Sequence, residues 1–321
     1  MVLKHKINPL IFQGKKKNEK YFEGWYFKQV SSDLKNIISI IPGISKGVDS
    51  HAFIQIIISN NVDGNATLTT QYHKFLLDDF KYSDEPFCLI IGNNSFSNDG
   101  IELNIINSEY SIKGRINFSE FTKINRNIFS PNAMGCFSYL PFMECYHDII
   151  SMNHNLDGIM TVNNNVYDFK GGKGYIEKDW GTSFPKEYIW LQSNHFDETD
   201  ASIMFSLAHI PFLGASFQGF ICNLIINGHE YRFATYNNSK VAKVINSGNV
   251  IELVVVKGEY ELIIKAEICQ DSGELKAPSN GDMEIIIKEG LSGSVNISLL
   301  KNSVILFEGK GNPCAIEIMV P

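Results

Sequence analysis

Arginine is nearly absent from this chain: only Arg115, Arg126 and Arg232 stand among its 28 basic residues. Without clustered guanidinium groups, bidentate recognition of phosphates is excluded as a main activity. The 35 acidic residues leave a formal charge of −7, the wrong sign for a general nucleic-acid binder. Long apolar runs are missing too. The longest, Ile37–Pro42 and Phe53–Ile58, fall far short of the roughly 20 residues a membrane-spanning helix needs. The six cysteines (Cys88, Cys136, Cys145, Cys222, Cys269, Cys314) form no C-x-x-C pair. Scattered, reduced thiols are therefore expected, and no metal site. There is no G-x-x-x-x-G-K-[ST], G-x-G-x-x-G, H-E-x-x-H or G-x-S-x-G, which disfavours nucleotide binding, zinc proteolysis and serine-hydrolase chemistry. Gly171-Gly172-Lys173-Gly174 is glycine-rich, but no helical pattern follows it to present amides to a phosphate. The N-terminal stretch reads as neither a secretory signal nor an Arg- and Ser-rich transit peptide, so the cytoplasm is the expected compartment. Lys15-Lys16-Lys17 reads as a solvated run.

What is present is β-structure. The 321 residues are about twice a ~150-residue domain, and mean hydropathy is −0.07. Period-2 alternation and β-branched residues predict strands over Tyr21–Val30, Asn36–Ile41, Ala52–Ser59, Ile101–Ile106, Ser111–Phe118, Asp148–Met152 and Leu156–Val162. More follow over Tyr188–His195, Ala201–Ala208, Gly219–Ile226, His229–Phe233, Val250–Val256, Tyr260–Ile268, Ser294–Leu300 and Val304–Glu308. Turn signals separate them at Asp63-Gly64, Asn98-Asp99-Gly100, Asn227-Gly228, Lys257-Gly258 and Ser292-Gly293. The pattern predicts an all-β chain of two antiparallel β-barrel or sandwich units, 1–165 and 166–321. An echo between Glu23-Gly24-Trp25-Tyr26-Phe27-Lys28-Gln29 and Tyr188-Ile189-Trp190-Leu191-Gln192 fits such a repeat.

Three segments hold residues suited to chemistry. Glu23 lies among Tyr21, Phe22, Trp25, Tyr26 and Phe27; desolvation there would favour its protonated form, although the aromatics could simply plug a barrel floor. Glu144, Tyr146, His147 and Asp148 crowd together. On a strand, Glu144, Tyr146 and Asp148 share a face and His147 takes the other, which is poor geometry for tetrahedral zinc; a hydrogen-bonded buried junction is the alternative. In Lys173–Phe196, alternation puts Tyr175, Glu177 and Asp179 on one side, where like charges would push one carboxyl pKa upward. Trp180 and Trp190 offer π faces for a cation, and Tyr188, Trp190, Gln192 and Asn194 share a side. The alternative is an exposed charged turn at Glu177–Asp179.

At these segments the sequence resembles the tocopherol cyclase-like family. The match is carried by Phe22-Glu23-Gly24-Trp25-Tyr26-Phe27-Lys28, Pro141-Phe142-Met143-Glu144-Cys145-Tyr146-His147 and Glu177-Lys178-Asp179-Trp180-Gly181-Thr182-Ser183-Phe184-Pro185, and it persists to Ile316-Glu317-Ile318. The resemblance implies tandem lipocalin-like (calycin-type) units and cofactor-free, acid-catalysed cyclisation or hydration of a prenylated, isoprenoid-like substrate. It also implies peripheral contact with a membrane to collect that substrate. Glu177, Asp179, Glu23, Glu144 and His147 are then the catalytic candidates. Glu177 is first for the proton donor, on the expectation that alternation turns Lys178 outward. Trp25, Tyr26, Tyr146, Tyr175, Trp180, Trp190, Gln192 and Asn194 are the substrate-binding candidates, with Trp25, Tyr26, Trp180 and Trp190 expected to border one apolar pocket. A non-catalytic carrier of a lipophilic molecule is the rival.

Overall fold

A computed structural model describes residues 8–62, 65–108, 110–141, 143–197, 199–212, 215–268 and 272–319. Cys269, Phe142 and the Asp63-Gly64 turn signal lie outside or partly outside these described residues. The fold is all-β. None of its described helices is long and apolar enough to cross a membrane. The chain forms two compact units.

The first unit holds β1 (Tyr21–Val30), β2 (Asn36–Lys46), β3 (His51–Val62), β4 (Asn65–Phe75), β5 (Phe80–Asp84), β6 (Phe87–Ile91), β7 (Asn94–Ser97), β8 (Gly100–Ile106), β9 (Ser111–Phe118), β10 (Cys145–Val162), β11 (Asn165–Asp168) and β12 (Lys173–Gly181). Their order is β4-β3-β2-β1-β12-β10-β9-β8-β7-β6-β5, with β11 beside β10. Alternate residues of strands far apart in that order meet in one buried cluster: Trp25 and Phe27 of β1, Ile54 and Ile56 of β3, Leu89 and Ile91 of β6, Ile112 of β9 and Ile176 of β12. The sheet therefore curls into a barrel around this core. Each such side chain gains about 1.5–3 kcal/mol on burial.

One end of the barrel is closed by the segment before β1. Lys178 of β12 points inward, with its ammonium 2.5 Å from a Glu23 carboxylate oxygen and both side chains fully buried. The ammonium also donates to the carbonyls of Pro9 (2.9 Å) and Ile11 (2.7 Å). Glu23 accepts from the amides of Gln13 (2.9 Å) and Gly14 (2.9 Å) and from the Tyr21 hydroxyl. The Trp25 indole N–H donates to Leu10 O at 3.3 Å. A buried ion pair is tolerable only when its remaining donors and lone pairs are met, and residues 9–14 meet them here.

The second unit holds β13 (Tyr188–Ser193), β14 (Ala201–Phe212), β15 (Ala215–Ile226), β16 (His229–Ala234), β17 (Lys240–Asn246), β18 (Val250–Lys257), β19 (Tyr260–Glu267), most of β21 (Asp282–Lys301) and β22 (Val304–Met319); β20 (Gly273–Ser279), which pairs with β21, lies mostly in the first unit. The order β16-β15-β14-β13-β22-β21-β19-β18-β17 repeats that of the first sheet: a four-strand meander whose first strand pairs with the last of its unit. The predicted Asn227-Gly228 hairpin is present, with φ of 47° and 78° at the two turn residues.

The 165/166 boundary is corrected. β12 is hydrogen-bonded between β1 and β10, so the first unit extends to Phe184, and two further segments change sides. Leu275–Ile286 belongs to the first unit, where Gln55 pairs with both backbone groups of Lys276 and Ser45 donates to Gly281 O. Ile124–Glu144 belongs to the second, where the Arg232 guanidinium donates to Asn125 O and Ser130 Oγ, both at 2.6 Å. Ser292-Gly293 is no turn: it sits within β21, where the register with β22 shifts. The predicted Asp148–Met152 and Leu156–Val162 strands are one bulged strand, β10.

Because the Glu23–Lys178 pair is dry, removing one partner strands the other. Glu23→Gln or Lys178→Met should each cost about 3–5 kcal/mol in urea unfolding of the first unit. Glu23→Leu/Lys178→Met together should recover most of the loss. Single variants within about 1 kcal/mol of wild type, the size of an ordinary exposed pair, would show that the pair does not hold this end of the barrel.

Candidate functional site

Strand β12 is buried on both faces, and the two faces differ in kind. Ile176, Lys178 and Trp180 point into the barrel; Tyr175, Glu177 and Asp179 point out of it. The antiparallel register sets Tyr26 of β1 opposite Glu177 on one flank, and His147 of β10 opposite Asp179 on the other. Directly opposed residues share a face. Five of the predicted residues, Tyr26, Tyr175, Glu177, Asp179 and His147, thus meet on the outward face.

Their contacts are short. His147 Nδ1 lies 2.9 Å from Asp179 Oδ1, and Nε2 lies 3.6 Å from Glu177 Oε2. The Tyr175 hydroxyl donates to Glu177 Oε2 at 2.5 Å. The Ser39 hydroxyl donates to Tyr26 OH at 3.0 Å. Burial alone would depress the His147 pKa, but Asp179 and then Glu177 oppose it and lift it to about 9. At neutral pH the ring is therefore an imidazolium between two carboxylates. Burial, then the Glu177 charge, pushes the Tyr175 phenol well above its ordinary range, so it stays a donor. One potential ligand atom from each of His147, Glu177 and Asp179 lies within 4.8 Å of the others. Those three side chains could hold a divalent cation if His147 gave up its Nε2 proton, and its Nδ1–H could still donate to an Asp179 oxygen.

The other candidates lie elsewhere. Lys178 turns inward, against the expectation, because alternation sends it to the barrel interior rather than to water. Its ammonium stands 4.6 Å from the Trp25 ring and 5.0 Å from the Trp180 ring, and Tyr146 stacks on Trp180 at 5.5 Å. The π faces assigned to a substrate cation thus serve Lys178. Glu23 is its counter-ion, on the opposite face of the sheet from His147, and is no longer a candidate proton donor. Trp25 and Trp180 are in the barrel core while Tyr26 faces outward, so these three do not border one pocket. Glu144 is exposed, which removes the dry setting a strong acid would need. In the second unit, Leu191 points into the core while Tyr188, Trp190, Gln192 and Asn194 take the other side, all buried, with Tyr188 donating to Glu317 Oε2 at 2.8 Å. Sequence reasoning missed Ser39 and Lys28, both fully buried. Both lie on the outward face and oppose each other across β1 and β2, and Lys28 ends the Phe22–Lys28 motif.

A family model for tocopherol cyclase-like proteins matches residues 88–319. The chain belongs to the tocopherol cyclase-like family. The matched region starts in β6 and includes β10, β12 and the second unit; β1, with Tyr26, lies ahead of it. Among solved structures, the chain is similar to CghA, alone (10% identity) and with Sch210972 (9%), covering 94% of this chain and 88% of that one, TM-score 0.60. It is also similar to kievitone hydratase from Nectria haematococca (10% identity, 98% and 94% covered, TM-score 0.54). A protein assigned as an AttH from Nitrosomonas europaea aligns at 14% identity over 93% of each chain, TM-score 0.53. At such identities the likeness establishes a shared lipocalin-like, two-unit fold. No curated protein matches the chain.

The raised pKa of His147 carries a stability signature. A folded-state value of about 9 against an ordinary value near 6.5 gives stabilisation that is fully present below pH ~6.5 and lost as pH rises through ~9. The His147→Gln variant should be less stable than wild type by about 3 kcal/mol at pH 6, a gap that closes above pH 9.5 in urea titrations. A gap independent of pH would refute the shared imidazolium.

Proposed function

We propose that this member of the family is a cofactor-independent acid–base enzyme that adds an O–H group across a carbon–carbon double bond of a lipophilic, isoprenoid-bearing small molecule. With an internal hydroxyl the reaction is a cyclisation; with water it is a hydration. The observation that carries the reading is the outward cluster of β12. One proton sits on His147 between two carboxylates, with Tyr175 orienting one of them.

His147 donates its Nε2 proton to the alkene carbon, and Glu177 takes the proton of the attacking hydroxyl. The 3.6 Å between His147 Nε2 and Glu177 Oε2 lets that proton pass back to the ring, so the site resets after each turnover. Asp179 holds the ring in place through Nδ1. An imidazolium is a weak acid beside a protonated carboxyl, so carbon protonation and C–O bond formation run together and no free cation has to be housed. This replaces Glu177 as first choice for the donor and gives it the role of base. A carrier of lipids, the rival reading, has no use for a proton shared among three side chains. The fold neighbour crystallised with a small molecule, Sch210972, and the neighbour named as a hydratase support a small-molecule substrate. Substrate collection at a membrane surface and a cytoplasmic location belong to this proposal.

The test is turnover of a panel of prenylated phenols in D2O, followed by mass spectrometry. Cyclised or hydrated product should carry one deuterium on carbon. Glu177→Gln and His147→Gln should each lower turnover by ~10²-fold or more while the substrate still binds. A Glu177→Gln protein that retains full turnover would remove this site from the reaction.

A further inference from the structure

The inward face of the first sheet holds a polar spot that the ion pair at the closed end does not explain. Gln29 of β1 and His154 of β10 both lie opposite Gly174 of β12, one on each flank. Gly174 is what admits the histidine: a Cβ there would stand 2.3 Å from His154 Nε2. Opposed antiparallel residues share a face with their Cβ positions about 5 Å apart, so Gln29 borders the same glycine from the other flank. Gln29 is fully buried and His154 is 3% exposed. Yet both carboxamide atoms of Gln29 and the Nε2 of His154 lack a hydrogen-bond partner among the described residues. Buried polar atoms are nearly always matched, and three unmatched ones at one glycine point to a missing group.

The neighbours fix its chemistry. The single hydroxyl proton of Ser151 goes to Asn153 O at 3.0 Å, so Ser151 Oγ accepts from His154 Nδ1–H, also at 3.0 Å. Nε2 is then a bare acceptor on a neutral ring, which burial keeps uncharged, with its pKa pushed down to about 3. Beside it, the Gln29 amide supplies a donor and an acceptor. A carboxylate would turn lone pairs on Nε2, and a ketone or ether would leave Nε2 unmet. A hydroxyl donates to Nε2 and accepts from the Gln29 NH2. The surroundings are aromatic: the Phe118 and Phe121 rings lie 4.6 and 5.0 Å from His154, and Phe27 stacks on Phe118.

We propose that the interior of the first barrel carries a second binding site, separate from the His147 cluster, that takes the hydroxyl of a small uncharged phenol or aromatic alcohol between His154 and Gln29. The probe pair is phenol and toluene, alike in size and differing in the hydroxyl. They are titrated into the full chain labelled with 15N-histidine, with the His154 signals assigned by their absence in His154→Phe. Phenol should bind at least about tenfold more tightly than toluene, move the His154 Nε2 signal and leave those of His147 in place. Gln29→Leu should erase the preference. Equal binding of the two probes, no binding of either, or a phenol effect that spares His154 would overturn the proposal and leave a trapped water as the missing group. If a variant fails to fold, the ratio of phenol to toluene affinity in the wild-type protein still decides the matter.

Discussion

Taking an ammonium ion out of water is among the most costly things a fold can do, and this one does it at Lys178. The residue sits where strand alternation aims it into the barrel, so its charge has to be met from inside. Glu23 supplies the opposite charge, Pro9 and Ile11 supply carbonyls, and Trp25 and Trp180 supply π faces. The chain ahead of β1 is thereby fixed across one end of the barrel, and two of the three tryptophans are committed to structure. Much of the unusual residue content of the β1 and β12 motifs is spent on this one cation.

The same strand carries the proposed acid–base cluster on its other face. Lys178 faces in and Glu177 and Asp179 face out, which separates the two sets of charge by the thickness of a sheet. His147 can therefore be the cation that the outward carboxylates share. Its proton is held there by Asp179 and Glu177, and Tyr175 stays protonated through burial and the adjacent negative charge. Had Lys178 faced out, it would have competed for both carboxylates.

Alternation in the sequence was enough to place Tyr175, Glu177 and Asp179 together, and to place Tyr188, Trp190, Gln192 and Asn194 together. It misplaced Lys178 because the usual rule sends charge to solvent, and a strand covered on both faces has no solvent side. His147 stood out as a candidate, but its pairing with Asp179, 32 residues on, depends on register between β10 and β12, which local pattern does not encode. β4, β5, β6, β7, β11, β17 and β20 escaped notice because their sequences are short, polar or interrupted; β4, β5 and β17 are terminal strands of their sheets, where one flank needs no partner strand. The boundary was misplaced for a related reason. Asn163-Asn164 is a real turn, with both residues at positive φ, but it joins two strands of one unit.

The shared strand order of the two sheets bears on how the protein is made. In each unit the opening strand is hydrogen-bonded to the closing one: β1 to β12 and β13 to β22. On the ribosome, β1 therefore emerges with one edge bare, and its partner follows only after about 150 more residues. The first unit waits longer still for Leu275–Ile286, which emerges after most of the second unit's strands. During that interval β1 offers an unpaired row of amides and carbonyls flanked by five aromatic side chains, the kind of edge that recruits foreign strands. Newly made chains should thus depend on chaperones to a degree that the finished molecule does not betray.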